Sequence, residues 1–464
     1  MLRASYPDHD HLVRGLESFV REAPDDETVR INPIAYAASH ALDESQVIDL
    51  FLHARKAGLF IMEWHYVCRG CGTIIESFQT LNAAGEHSFC NTCLVNREAD
   101  LSDFVEIGFS VSKAVRASRF HDPQTLTAKE LAIDCNLSAS AFARDGTRAR
   151  DFYWRHTVFL EYVEPGETGT FVVNLEPGFF SLRYGPEFLV DPASDNRVER
   201  LDIVQCDGRP AEKMRSVAPG PLTYRLTNAT AARIVASALS VSAAERQALS
   251  TKPPGFRLGG FLSGSRLLAT QTFLDLFPSE TVMSAGGLAV KRVAILFTDI
   301  KGSTALYDRV GDLKAFNLVR QHFSVLREVI AARHGALIKT IGDAIMASFH
   351  EPLDAIHAAL EMLAQMKRFN DGAGEELITL KIGAHAGPCL AVTLNERLDY
   401  FGRTVNVAAR VQGLASENEV YLSDELYRLP DAADLLTGVE RATRTVRLKG
   451  IEREIVVHAL HAPR

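Results

Sequence analysis

Neither an apolar run of membrane length nor a surplus of positive charge occurs in this sequence. The most apolar stretch, Ile234 to Ala244, is short and directly follows Arg233, whereas a spanning helix needs about 20 apolar residues. The N-terminus, Met1-Leu-Arg-Ala-Ser-Tyr, lacks the apolar core of a secretory leader, which predicts a cytoplasmic protein with no membrane contact. Lys and Arg number 50 against 58 Asp and Glu, a net charge of -8. Such a balance disfavours non-specific attraction to nucleic acid or an anionic membrane, because both need a cationic surface. Cysteine is sparse, at seven in 464 residues. Four of the seven sit in two CxxC pairs, while Cys135, Cys206 and Cys389 stand alone. That pattern suits a metal site in a reducing compartment better than a disulfide framework. No internal repeat is apparent.

What is present reads as a multidomain α+β chain. Apolar residues make up 47% and charged residues 23%, ordinary for a protein with a buried core. The length gives a prior of about three domains. Residues 1–125 read as a helical, winged-helix-like region that carries a cysteine ribbon at 64–95. Within it Val47, Leu50, Phe51, Ala54 and Ala57 recur at helical spacing, with Asp43 placed to cap and Gly58 to terminate. Residues 126–250 read as a β-rich domain. Short apolar strands such as Thr157–Val163 and Phe179–Tyr184 are separated by Pro165-Gly and Pro177-Gly, the pattern of an antiparallel sandwich. Residues 251–289, rich in Gly, Ser and Pro, read as a linker.

From about residue 290 to 461 the pattern changes. Val293-Ala-Ile-Leu-Phe is a buried strand. Leu306, Val310, Leu313, Phe316, Val319, Phe323, Leu326 and Ile330 step by three and four, predicting one long helix with one apolar stripe. Strands Ala336–Thr340 and Ala344–Phe349 flank a Gly342-Asp343 turn. A helix over 352–369, a strand over Ile378–Ala386 and a helix from Arg403 follow. The order β, α, β, β, α, β is that of a ferredoxin-like α/β sandwich.

Asp299 ends the first of these strands and is followed by Ile300-Lys-Gly302-Ser303-Thr304. A carboxylate there can hold a hard cation while the N–H groups of Gly302, Ser303 and Thr304 hold phosphate oxygens. Asp343 converges on Asp299 if the first strand lies beside the hairpin, giving a candidate site for two Mg²⁺ or Mn²⁺ ions at Asp299, Ile300 and Asp343. Asn406 and Arg410 are four apart and so share one helix face. An arginine so placed can balance charge developing on a phosphoryl group.

The strings FTDIKGST, KTIGDAIM and DYFGRTVNVAAR resemble the catalytic domain of class III adenylate and guanylate cyclases. The resemblance covers only the C-terminal part of the chain. It implies that Asp299 and Asp343 hold the metals and that Lys339 contacts the purine ring. It further implies that Asp399 accepts from the adenine amino group, Asn406 positions the ribose and Arg410 stabilises the transition state. Lys449, in Val446-Arg-Leu-Lys-Gly, resembles the lysine that binds the triphosphate. Ser303 departs from the phenylalanine many members carry, without removing a catalytic group. The family builds its sites between two catalytic domains. This chain carries both halves once, so the resemblance implies a homodimer. A Lys donor and an Asp acceptor match N1 and N6 of adenine and oppose the N1 donor and O6 acceptor of guanine, which points to ATP and cyclic AMP. A guanylate cyclase is the alternative.

Cys68-Arg-Gly-Cys71 and Cys90-Asn-Thr-Cys93 have the arrangement of a four-cysteine structural zinc ribbon. His65 and His87 each precede a pair by three residues and read as surface or supporting histidines. A helix before a ribbon could instead belong to a DNA-reading regulator with an appended cyclase. Arg55 and Lys56 are too few for a recognition helix. The preferred expectation is that the N-terminal half regulates the cyclase in response to a ligand or protein that the sequence does not identify.

Overall fold

The computed structural model describes residues 2, 6, 9–81, 87–90, 95–98, 101–102, 105–143, 145–206, 214–245, 256–278, 287–373, 378–394, 397–451 and 453–461. Among them no helix is long and apolar enough to cross a membrane.

The chain opens with helices α1 (Asp10–Glu22), α2 (Pro33–Ser39) and α3 (Glu44–Lys56). Asp43 caps α3, its side chain accepting from the Gln46 N–H at 2.9 Å, and Gly58 follows with φ 77°. The apolar face of α3, including Leu50, Phe51 and Ala54, is fully buried. It packs on an antiparallel sheet of β1 (Phe60–Val67), β2 (Ile74–Phe78) and β3 (Val105–Val111), in which β1 is central. A separate hairpin pairs His87–Cys90 with Val95–Glu98.

The described residues between 157 and 241 form a sandwich of a five-stranded and a three-stranded sheet, not wholly antiparallel as expected, because Glu187–Val190 runs parallel to Arg215–Val217 and Arg200–Gln205 parallel to Gly220–Asn228. Their inner faces share a core that includes Phe180, Phe188, Leu222, Tyr224 and Leu226. Alternation of burial along Gly220–Asn228 is the period-two pattern of a strand with one face inward.

The described stretch 256–278 of the expected linker is instead packed into a core. Helices α4 (Gly264–Leu268) and α5 (Gln271–Leu276) lie within it. Leu262, Leu267, Leu268 and Phe273 are buried in one cluster with Trp64 and Ile107 of the N-terminal sheet and Ile295 and Tyr400 of the catalytic half. The Trp64 and Phe273 rings meet edge to face at 6.1 Å between centroids. The apolar stretch Leu267–Phe277 interrupts the Gly, Ser and Pro content of this segment, and its partners are remote in sequence.

The catalytic half is built on an eight-stranded sheet. Its elements are β4 (Leu288–Ile300), α6 (Ser303–Val310), α7 (Asp312–Ala332), β5 (Gly335–Ile341), β6 (Ala344–Phe349), α8 (Pro352–Ala373), β7 (Leu380–Leu394), β8 (Arg397–Phe401), α9 (Arg403–Gln412), β9 (Glu419–Ser423), β10 (Glu440–Val446) and β11 (Ile455–His461). The strand order is β5-β6-β4-β7-β9-β11-β10, with β8 paired to β7. Helices α7 and α8 bury Leu326, Ile330, Ile356 and Met362 against one face. The opposite face contributes Ile295, Met346 and Tyr400 to the core shared with the N-terminal half.

The single long helix expected from Leu306 to Ile330 is two helices. Gly311, at φ 81° and ψ 155°, adopts a conformation that breaks helical hydrogen bonding and that other residues avoid. The apolar stripe also fails at its start: Leu313 is 77% and Phe316 58% exposed.

Candidate active site

Asp299 and Asp343, the expected metal ligands, are brought to one end of the sheet by strand register. Thr298 of β4 stands across from Ile345 of β6. Asp299 follows Thr298, and Asp343 lies two residues before Ile345 in the β5–β6 turn, so both occupy the same end of neighbouring strands. Gly342 forms that turn with φ 64°. One feature makes the pair suited to hard cations. The Asp343 Oδ2 is buried with no hydrogen-bond partner, an arrangement that is costly unless something binds there. Asp299 is only partly exposed and is paired with Lys381, which stands directly across from it in register. Lys381 was missed in the sequence reading, although a lone charge in the apolar run Ile378–Ala386 was its signal. Ile300 is 3% exposed and pairs with Leu380 as the last rung of β4. Gly302 is the N-cap of α6 and no side chain caps that end. The first-turn N–H groups at Ser303 and Thr304 therefore remain available to an anion.

The two residues expected to read the purine pair with each other within one chain. Lys339 on β5 makes an ion pair with Asp399 Oδ2 on β8. Asp399 is 5% exposed, and its Oδ1 accepts from the Tyr400 N–H at 2.8 Å. An acceptor and a donor are thus held side by side by opposite charge, which strengthens both as hydrogen-bonding groups.

Helix α9 presents the remaining groups. Asn406 and Arg410 are exposed on one face, and Thr404, Val407, Ala408 and Val411 are buried on the other. Among the described residues Arg410 has no carboxylate partner. Two contacts fix the helix. The Thr404 hydroxyl donates to the Pro388 carbonyl. At Gly383 of β7 a side-chain carbon would lie 2.1 Å from the Gln412 nitrogen, so only glycine lets α9 approach this closely. Lys449 is exposed in the turn between β10 and β11.

No covalent route suggests itself beside these groups. Burial pushes the Cys389 thiol up to about 12 and raises the Tyr400 hydroxyl as well, so both stay protonated near neutral pH and neither is an activated nucleophile.

The cysteine cluster lies in the N-terminal half. The Sγ atoms of Cys68, Cys71 and Cys90 all lie within 4.8 Å of one another, and all three residues are buried. Cys71 and Cys90 are 3.7 Å apart, sulfur to sulfur, against about 3.8 Å for two thiolates on one tetrahedral zinc with 2.3 Å bonds. The first pair sits in a tight turn in which Cys68 N–H donates to the Thr73 carbonyl and Gly72 N–H to the Cys68 carbonyl, at 2.8 and 2.7 Å. Cys93 lies outside the described residues. His65 is not a surface residue: it is 1% exposed, and its Nδ1 shares a 2.8 Å hydrogen bond with the Ser77 hydroxyl. Burial and the nearby Arg30 lower its pKa to about 3.

Comparison with known proteins divides the chain in two. Residues 2–275 match the model of a family of unknown function, DUF5939. Residues 288–462 match that of the adenylate and guanylate cyclase catalytic domain. The adenylate cyclase of Anabaena cylindrica is 27% identical over 195 residues, 39% of this chain and 39% of that protein. Guanylate cyclase 32E of Drosophila melanogaster is 27% identical over 173 residues, 34% of this chain and 15% of that one. The adenylate cyclase of Mycosarcoma maydis is 30% identical over 159 residues, 30% of this chain and 6% of that one. Among solved structures, the adenylyl cyclase CyaB from P. aeruginosa is 21% identical, covers 38% of this chain and 95% of its own, and has a TM-score of 0.33. The chain thus spans two fifths or less of the length of these curated relatives.

Proposed function

Since the chain belongs to the DUF5939 family of unknown function through residues 2–275 and carries an adenylate and guanylate cyclase catalytic domain at 288–462, we propose that it converts ATP to cyclic AMP and pyrophosphate in a homodimer regulated by its N-terminal half. The observation that carries the choice of purine is the pairing of Lys339 with a nearly buried Asp399. Adenine accepts at N1 from the lysine and donates from N6 to the carboxylate. Guanine presents a donor and an acceptor in the opposite places. Leaving such groups unsatisfied costs about 1–3 kcal/mol each. Turnover of ATP and GTP by the purified protein tests the assignment, and faster turnover of GTP would reject it.

In this reading the ribose 3′-oxygen attacks the α-phosphorus, the new O–P bond closes the ring, and the bond to pyrophosphate breaks. Lys339 and Asp399 fix the base, Asn406 positions the ribose, and Arg410 meets negative charge on the transferring phosphoryl group. The N–H groups at Gly302–Thr304 hold phosphate oxygens, and Lys449 supplies a cation for the triphosphate. Two divalent cations held by Asp299 and Asp343, with Ile300 beside them, would lower the pKa of the 3′-hydroxyl and balance charge on pyrophosphate.

The shared site follows from where these groups face. Arg410 and Asn406 are exposed and, among the described residues, have no side-chain partner. Exposed apolar side chains rim both halves: Phe401 at 62% next to α9, Ile341 at 51% by the Asp343 turn, and Leu313 and Phe316 at the start of α7. A second copy covering them would join one protomer's Asp299 and Asp343 to the other's Asn406 and Arg410.

We further propose that Cys68, Cys71, Cys90 and Cys93 bind one structural zinc. A closed set of thiolates leaves no position for substrate. The DNA-reading alternative is disfavoured by α3, the helix it would use. The apolar face of α3 is buried, and Lys56 Nζ donates to the Leu276 carbonyl at 2.9 Å.

A further inference from the structure

The edge strand β5 carries an irregularity that decides where Lys339 points. Leu337 pairs with Ala347, but Lys339 pairs with Met346, so Ile338 is an extra residue in β5. Ala347 belongs to the core under helices α7 and α8, and Leu337 packs against that core. Met346 belongs to the core on the opposite face, and Ile338 packs there. Strict alternation would return Lys339 to the helix-covered face and bury its ammonium. The bulge instead puts Ile338 and Lys339 on one face, where Asp399 waits. Re-aiming a side chain beside a site is a recurrent use of bulges.

A residue from outside the catalytic half sits on this bulge. Gln271 of α5 accepts from the Leu337 main-chain N–H through its Oε1 at 2.8 Å. The same side chain donates to Asp275 Oδ1 at 2.9 Å, and Asp275 is paired with Arg327 of α7. The amide is therefore braced at both ends. Its helix is in turn packed through Phe273 on Trp64 of β1, the strand that runs into Cys68.

We propose that Gln271 is a positioning residue for the purine site: it pins the β5 bulge, thereby holding Lys339 on the nucleotide face, and links the state of the N-terminal half to nucleotide affinity. This rests on the purine role of Lys339 proposed above. Gln271 touches no substrate and acts through Lys339 alone.

The test compares wild type with Gln271→Met, Gln271→Glu, Lys339→Ala and the Gln271→Met/Lys339→Ala double variant. Steady-state turnover of ATP and the affinity for a fluorescent ATP analogue are measured for each. Gln271→Met keeps the length of the side chain and removes the acceptor. It should raise KM and weaken analogue binding about five- to tenfold, the worth of one hydrogen bond, with kcat within about twofold. Faster hydrogen exchange at the Leu337 amide should accompany it. Gln271→Glu keeps an acceptor but sets a carboxylate against Asp275, so it is made together with Asp275→Asn, whose amide can donate in turn; this glutamate variant should restore most of the affinity. In the Lys339→Ala background, Gln271→Met should add nothing, because its effect passes through that lysine. Unchanged affinity in Gln271→Met, no recovery with glutamate, or full additivity with Lys339→Ala would each overturn the proposal. If wild type binds the analogue no better than Lys339→Ala, the purine role of Lys339 fails first and the positioning role falls with it. If Lys339→Ala loses affinity and Gln271→Met does not, only the positioning role falls.

Discussion

Replacing Gly383 with alanine tests how the catalytic helix is seated. The added carbon would lie 2.1 Å from the Gln412 nitrogen and 2.2 Å from its Cα, whereas carbon atoms in contact sit about 3.5–4.0 Å apart. The atoms in the way are backbone, so no side chain can swing aside. Helix α9 must move from β7 by roughly 1 Å or more. Overpacking of this kind costs about 1–3 kcal/mol, and rigid neighbours favour the upper end. At about 2–4 °C per kcal/mol for a unit of this size, the melting transition of the catalytic half should fall by roughly 5–10 °C. The effect on turnover should be larger, because Asn406 and Arg410 ride on the displaced helix. A misplacement of about 1 Å can cost on the order of a hundredfold. The assay pairs thermal melting with cyclic nucleotide formation, at a temperature where the variant remains folded. Gly413→Ala is the control, since its nearest neighbour would be a carbonyl oxygen at 3.5 Å, and it should behave as wild type. A Gly383→Ala protein with unchanged melting and turnover would refute the close seating of α9.

Three other outcomes are expected. Mixing an inactive Asp299→Ala protein with an inactive Arg410→Ala protein should restore a fraction of the activity, since one site of each mixed dimer keeps both groups; verified mixed dimers without recovery would contradict the shared site. Protein purified without chelator should contain about one zinc per chain by metal analysis, and Cys90→Ser should lower both that content and, by several kcal/mol, the stability of the N-terminal half; a metal-free wild type would count against the ribbon. His65 has a folded pKa of about 3 against an ordinary 6.5, so it stabilises the fold fully above pH 6.5 and loses about 1.4 kcal/mol per pH unit as pH falls towards 3. The buried Glu106 carboxyl is raised and acts with the opposite sign above its ordinary 4.5. The comparison with His65→Gln therefore isolates the histidine: the stability gap between the two proteins should narrow from pH 7 to pH 5, and a gap independent of pH would reject the buried neutral imidazole.

The candidate site groups could be picked out of the sequence because each is tied to local chain geometry. Asp299 ends an apolar strand, Asp343 follows the glycine of a turn, and Asn406 and Arg410 are one helical turn apart. Their chemistry is encoded within a few residues. The groups that seat them were less legible. Gly383 matters only because α9 returns to β7, and Lys381 only because it pairs with Asp299 in register. Gln271 meets Leu337 across 66 positions of sequence. The connector was misread for the same reason. The apolar stretch Leu267–Phe277 is visible in the sequence, but that Leu267, Leu268 and Phe273 share a core with Trp64 and Tyr400 is not. The helical stripe through Leu313 and Phe316 was read as core because periodicity reports which residues share a face, not what covers that face. In the β-rich middle, alternation revealed strands but not their pairing: Thr168–Leu175 pairs with Gly220–Asn228, and Thr157–Val163 with Ile234–Val241, across long separations.

The most direct test of the central claim is the product formed from ATP by the full chain with Mg²⁺ or Mn²⁺, compared with Asp343→Ala. The Asp343 carboxylate has a buried oxygen without a partner, and the account gives it to the catalytic metals. Wild type should release cyclic AMP and pyrophosphate in equal amounts, and Asp343→Ala should release neither while remaining folded. Cyclic AMP formation that survives the loss of Asp343 would contradict the account.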